Sequence, residues 1–244
     1  MTETPSLERI PGELRDAISH YAARVREHCG DRIGCLAVYG AIAAPSFELP
    51  AGDAIGRVEN VLVLKIERLS DLRPLAEEGH RFGRLRIAAP LVLTPSFVKA
   101  SRDTYPLELI EIQQQHVVIV GEDVFAPLEF DASFVRLQCE RQLKVISLAM
   151  RQAAVTFGAD WRLFRKAAWP SLLDLRRVLR GILWLKGLRQ PLSTMDMVRE
   201  IEGFVGHPLP GLHRVIEADR TADWNVFELV YADIEVLGRS VDAW

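Results

Sequence analysis

The chain has 244 residues, 49% of them hydrophobic and 26% charged, with a net charge of −3. That is length for one large or two small domains, in the composition of a folded globular protein. The near-neutral charge excludes a global field drawing the chain to nucleic acid or to an anionic membrane. No apolar run approaches the roughly 20 residues needed to span a bilayer. Met1 to Arg9 is polar and carries Glu3 and Glu8, without the basic start or apolar core of a signal peptide. The expectation is a cytoplasmic protein with no membrane and no DNA partner. Cys29, Cys35 and Cys139 fit no CxxC or metal-ligand spacing and read as small buried hydrophobes.

Leu14, Ile18, Tyr21 and Val25 recur at helical spacing and predict a helix over about 12 to 28. Ile33 to Tyr39 reads as a short apolar strand and Val58 to Ile66 as a second, rich in Val and Leu. Ser70 to Phe82 reads as a helix with Ser70 as N-cap. Leu85 to Leu93 reads as a third strand, broken or ended near Pro90. Thr94 and Pro95 place a capping hydroxyl and an N1 proline ahead of a short helix. Pro106 to Ile112 and His116 to Val120 read as further strands, the last closed by a turn at Gly121-Glu122-Asp123.

From about 131 the period changes. Cys139, Leu143, Ile146, Met150, Ala153 and Phe157 form one apolar stripe on a long helix. Leu172, Leu175, Leu179, Ile182 and Leu185 form another. Met197 to Phe204, Leu212 to Ala218 and Val226 to Leu237 suggest three more helices. Gly158, Pro170, Pro191, Pro208 and Pro210 read as punctuation. The pattern predicts an α+β protein: a mixed-sheet α/β domain over 1–128, then an all-helical bundle over 129–244.

One phrase carries the functional reading. Val38-Tyr39-Gly40-Ala41 ends the first strand, and Arg57-Val58-Glu59-Asn60-Val61-Leu62-Val63-Leu64 opens the second. Further on come Pro90 to Pro95, Tyr105 to Ile112, His116 to Val120 and the Gly-Glu-Asp turn, and Pro170-Ser171-Leu172-Leu173 looks like the start of a bundle helix. Together these resemble bacterial nucleotidyltransferase-like proteins of the DNA polymerase beta superfamily that carry a C-terminal helical domain. In that family a strand ends in Gly-Ser and the next opens with Asp-x-Asp.

The resemblance implies a nucleotide held at Gly40 and Ala41, with metal-binding aspartates at the positions of Val58 and Asn60. Ala41 has no hydroxyl, Val58 cannot hold Mg²⁺, and the Asn60 amide holds it weakly, because hard cations want charged oxygens. Two-metal phosphoryl transfer clamps attacking and leaving oxygens between carboxylate-held ions, so the catalytic motif reads as degenerate.

Glu59 and Glu108 are the weak catalytic candidates. Glu59 alternates to the opposite face from Val58 and Asn60. Glu108 falls where the family has its third carboxylate, with Glu111 three residues on; solvated or salt-bridged glutamates are the plain alternative for both. Asp53 reads as a loop residue. Gly40 is either a tight turn or a ligand contact. Serine, histidine, Gly-rich and P-loop signatures are missing from the sequence.

Arg162, Arg165, Lys166, Arg176, Arg177, Arg180, Lys186 and Arg189 face one acid, Asp174, over 28 positions. They read either as a solvated face or as a phosphate-binding wall, with Arg176, Arg177 and Arg180 as its centre and Trp161 and Trp169 for stacking. The expected protein is therefore a pseudo-nucleotidyltransferase that binds a nucleotide or other phosphorylated ligand, with no metal cofactor. Two alternatives stay open. One is an active Mg²⁺-dependent transferase with relocated carboxylates. The other is a scaffold that pairs with a protein partner or as a homodimer, which an exposed apolar patch would favour.

Overall fold

The computed structural model describes residues 5–43, 57–66, 68–189, 193–218 and 222–244. Asp53 and Pro191 lie outside them, as does the side chain of Ala41. The chain divides into two compact units, Met1–Arg102 with Glu111–Glu129, and Asp103–Ile110 with Phe130–Trp244.

The first unit is a four-stranded mixed sheet in the order β3-β2-β1-β4. Strand β1 (Ile33–Tyr39) pairs antiparallel with β2 (Asn60–Leu64) and with β4 (His116–Gly121); β2 runs parallel to β3 (Leu91–Leu93). Helix α1 (Gly12–Cys29) turns Leu14, Ile18, Tyr21 and Val25 inward, as their spacing demands. They meet Leu36, Val38, Val58, Leu62 and Leu64 from one sheet face, with Leu75 and Phe82 of α2 (Arg73–Arg84). Each such side chain contributes about 1.5–3 kcal/mol on burial.

Two predicted borders move here. A 3-10 turn over Leu69–Leu72 precedes α2, so Ser70 is not its cap. Of the strand expected over 85 to 93 only Leu91–Leu93 forms; Ile87 makes an isolated parallel bridge to Val58, one residue after Arg86 with φ 59°. The helix α3 (Pro95–Ala100) starts as its sequence requires: Thr94 Oγ1 accepts the N–H of Phe97 at 3.1 Å, and Pro95 sits at N1.

The expected strand over 106 to 112 is a helix, α4 (Pro106–Gln114). Its alternation of apolar and acidic residues imitates a strand. Yet Leu107, Leu109, Ile110, Glu111 and Ile112 are all buried, and a short run that is apolar on every side has no period to tell helix from strand. Pro106 and the first-turn Glu108 suit a helix start.

The second unit is helical: α5 (Ala132–Phe157), α6 (Trp161–Leu185), α7 (Thr194–Val205), α8 (Pro210–Ala218) and α9 (Trp224–Asp242). Asp131, Asp160, Ser193 and Asp223 cap four of them by accepting backbone N–H groups. Among the described residues no strand follows Gly121. Pro170 does not break the chain but lies inside α6, so the Pro170-Ser171 stretch is not a helix start. A mid-helix proline costs about 3 kcal/mol. The buried flank of α6, from Phe164 and Ala168 through Leu175, Leu179 and Ile182, offsets that cost in the core with Leu143, Ile146, Phe227 and Val230.

Candidate functional site

The corner at the end of β1 is built by three strands. Tyr39 donates its N–H to the carbonyl of Glu59 at 3.1 Å, and Gly40 donates its own to Gln115 at 2.9 Å. Gly40 then turns with φ 79°, a left-handed conformation that other residues resist, and its carbonyl accepts the N–H of Ala43 at 3.0 Å as the short turn Ala41–Ala43 begins. The Gly40 amide is thus committed to the sheet. A Cβ placed on Gly40 would lie 2.7 Å from Glu59 Oε2. The Glu59 carboxylate therefore stands against this corner.

Register explains why. Val38 pairs with Asn60 and Ala37 with Val61. Val58 and Asn60 sit on the face covered by α1, 0% and 2% exposed, while Glu59 sits on the other face and is exposed. Asn60 is a core residue: its Oδ1 accepts from Tyr21 Oη at 2.7 Å and its Nδ2 donates to the Ala88 carbonyl at 2.9 Å. Burial pushes the Tyr21 phenol up, keeping it the donor this pair needs. The expectation that Asn60 contacts a ligand is corrected by this geometry, and Glu59, set aside for facing away from Val58 and Asn60, is the carboxylate at the corner. Either face of β2 reads as apolar, since all five of its residues are buried, so the sequence alone leaves the choice of face open.

A second polar feature of this unit escaped the sequence reading. His116, at the start of β4, places Nε2 at 3.0 Å from both oxygens of Asp123 and Nδ1 at 3.2 Å from the Gln113 carbonyl. Asp123 also accepts the N–H groups of Phe125 and Ala126. Burial opposes its ionisation, but the Ala126 N–H, His116 and the Phe125 N–H outweigh that and hold the carboxyl below its usual range. The pair staples the turn after β4; a His and an Asp seven residues apart around a Gly turn is the signal that could have found it.

Glu108 belongs to the helical unit, where it accepts from Gln138 Nε2 at 3.2 Å while Gln138 Oε1 accepts the Leu107 N–H. Burial, and then the Glu108 charge, push the neighbouring Tyr105 phenol up. Glu111 falls in the first unit and is 5% exposed, which removes the solvated half of its solvated-or-salt-bridged reading.

Arg176, Arg177 and Arg180 do not form one exposed wall. Arg180 is 3% exposed, Arg176 is half-buried with a buried Nε that makes no hydrogen bond among the described residues, and Arg177 pairs with Asp174 at 3.3 Å. The i, i+4 spacing that joins Arg176 to Arg180 points both toward the packed side of α6. The open cationic surface lies earlier on the helix. Arg162, Arg165, Lys166, Trp169 and Pro170 line a groove of about 470 Å³. Trp161 is not part of it; its ring packs 5.4 Å from Phe227 and 5.5 Å from Phe164.

Among the described residues no three His, Cys, Asp or Glu side chains converge as a metal site. All three cysteines are buried and unpaired, and burial pushes the Cys35 and Cys139 thiols up to about 11 and about 12. Among the described residues no helix is long and apolar enough to cross a membrane.

No protein-family model matches the sequence, and no curated protein does. Among solved structures the chain is similar to the spectinomycin adenyltransferase AAD(9) from Enterococcus faecialis, solved with ATP and spectinomycin. The TM-score is 0.56 at 10% sequence identity, over 93% of this chain and 98% of that one. At that identity the likeness is one of fold, and the fold of this chain is nucleotidyltransferase-like, a mixed-sheet α/β part with a helical part.

Proposed function

We propose that this chain is a pseudo-nucleotidyltransferase that binds a nucleoside triphosphate as its divalent-metal complex and acts as a binding or regulatory module. The carrying observation is that, among the described residues, one carboxylate, that of Glu59, stands at the β1 corner. Glu59 stands at Gly40, while the positions flanking it, Val58 and Asn60, are enclosed in the core. Two-metal transfer needs several carboxylates to clamp the attacking and leaving oxygens, and the described residues do not fit that arrangement. One Mg²⁺ is a different matter. It is commonly held by one or two carboxylates, the nucleotide phosphates and water supplying the rest. With one carboxylate as protein ligand, metal binding alone is weak, and the ion and the nucleotide bind together.

ATP is the first probe, because the similar structure holds it. Calorimetric titration with ATP and Mn²⁺ should show binding that is lost without the metal and weakened roughly tenfold or more by Glu59→Gln. Pyrophosphate release should stay at background. Steady pyrophosphate release abolished by Glu59→Gln would establish the active-transferase alternative. Failure of every nucleoside triphosphate to bind at low salt would remove the nucleotide reading altogether.

A further inference from the structure

Helices α5, α6 and α9 do not close completely on one another. Between them lies a pocket of about 170 Å³, lined by Met150 and Ala154 of α5, Phe164 of α6, and Trp224 and Phe227 of α9. Met150, Phe164 and Phe227 are buried, and Trp224 is 38% exposed. The rings pack edge to face and tilted: the centres of Phe164 and Trp224 stand 4.5 Å apart at 46°, those of Phe164 and Phe227 5.4 Å apart at 71°. Protein interiors leave few voids larger than a water molecule. An engineered cavity of roughly 150 Å³ lined by Leu, Ile and Phe holds a benzene ring, so this pocket has the size and the walls for one aromatic ring.

Two charged residues also line the pocket, Arg151 and Glu228, and both are exposed, which puts them on its open side. Their pairing decides which charge the pocket favours. The Arg151 guanidinium lies 5.5 Å from the centre of the Tyr231 ring. Its Nε donates to Tyr231 Oη at 2.6 Å and its Nη2 to Glu235 at 3.1 Å, so its charge is already met by a carboxylate. Glu228 makes no hydrogen bond or ion pair among the described residues. An uncompensated carboxylate therefore stands beside the negative faces of aromatic rings, and both attract a cation.

We propose that this pocket binds a small free organic cation made of one aromatic ring and one ammonium group on a short alkyl stem. The ring enters between Phe164, Trp224 and Phe227, and the ammonium stays at the mouth, where Glu228 accepts its N–H groups. Burial of the ring supplies most of the affinity, and the carboxylate selects cation over anion. An aryl carboxylate of the same size meets repulsion from Glu228 and an Arg151 already held by Glu235 and Tyr231. The inference is independent of the nucleotide reading, since every residue in it belongs to the helical unit.

Phenethylammonium is the probe, with phenethyl alcohol and phenylacetate as neutral and anionic counterparts of similar size. Titration of the full chain, followed by ligand-observed NMR, should give saturable phenethylammonium binding with a dissociation constant on the order of 1 mM or below. The alcohol should bind about 5- to 10-fold more weakly, and the carboxylate more weakly still. Glu228→Gln, at an exposed position, should cut the preference for amine over alcohol to about twofold or less. Ala154→Met extends a side chain into the pocket and should abolish binding of all three, with the melting temperature kept or raised. No saturable amine binding, an alcohol that binds as tightly as the amine, a preference unchanged by Glu228→Gln, or binding unaffected by Ala154→Met overturns the proposal.

Discussion

Each unit hides a polar group in its core, and the two differ in kind. In the sheet unit it is Asn60, neutral and met on both sides by Tyr21 and the Ala88 carbonyl. In the helical unit it is Asp233 on α9, 3% exposed, accepting the N–H of Leu212 at the start of α8 at 2.8 Å. Burial raises its carboxyl to about 6, against the N–H groups of Leu212 and Gly211 that favour the charge. A neutral pair stabilises equally at every ordinary pH. An ionisable one ties the seat of a helix to the proton concentration. The Asn60 pair therefore holds its part of the sheet core alike at every ordinary pH, while the Asp233 contact is a titrating joint in the helical unit.

The largest expected effect tests that joint sterically. Gly211 sits where α8 meets α9, and a Cβ there would collide with the backbone of Leu229 and Val230. Gly211→Ala should cost about 3 kcal/mol or more, seen as a fall in the denaturation midpoint; a near-neutral result would mean the α8–α9 seat is softer than the Asp233 contact implies. Next comes the neutral pair. Tyr21→Phe leaves the Asn60 carbonyl without its donor and should cost about 1–3 kcal/mol, equally at pH 5 and pH 8.

The pH contrast is smaller and sharper. Asp233 has an ordinary value of 3.8 and a folded value of about 6, so the folded chain binds the proton more tightly. Its contribution to stability is present below about pH 4 and is lost as pH rises through about 6. The difference in stability between wild type and Asp233→Asn should change across that window and be flat above it. A parallel pair of curves would show that Asp233 titrates normally. The smallest effect is expected from Arg199→Gln, which removes an exposed pair with Asp196 at 3.2 Å. It should leave the melting temperature unchanged within about 1 °C.

Much of the fold was legible because it follows from spacing. The inward stripe of α1, the Thr94-Pro95 start of α3 and the apolar stripe of α5 through Cys139, Leu143 and Ile146 are all written in i, i+3, i+4 order. Two misreadings of element type have different causes. Residues 106–112 are buried on every side, so alternation in their composition carries no information about period. Pro170 is a breaker by local chemistry, but the packing of α6 outweighs it. The site was less legible than the fold. Alternation correctly separates Glu59 from Val58 and Asn60, but only pairing with β1 says which set meets Gly40. Likewise the spacing of Arg176 and Arg180 puts them on one face without saying whether that face is wet.

The sequence by itself determined the α+β class, the change from sheet to helix after about 130 and the Thr94-Pro95 start of α3, because each depends on neighbours within a few residues. Only the tertiary structure decided that Asn60 is core and Glu59 stands at the corner, and that Arg180 is buried while Arg162 and Lys166 line a groove. Those outcomes depend on which of two chemically similar faces another element covers, and that is settled by contacts between residues far apart in the chain.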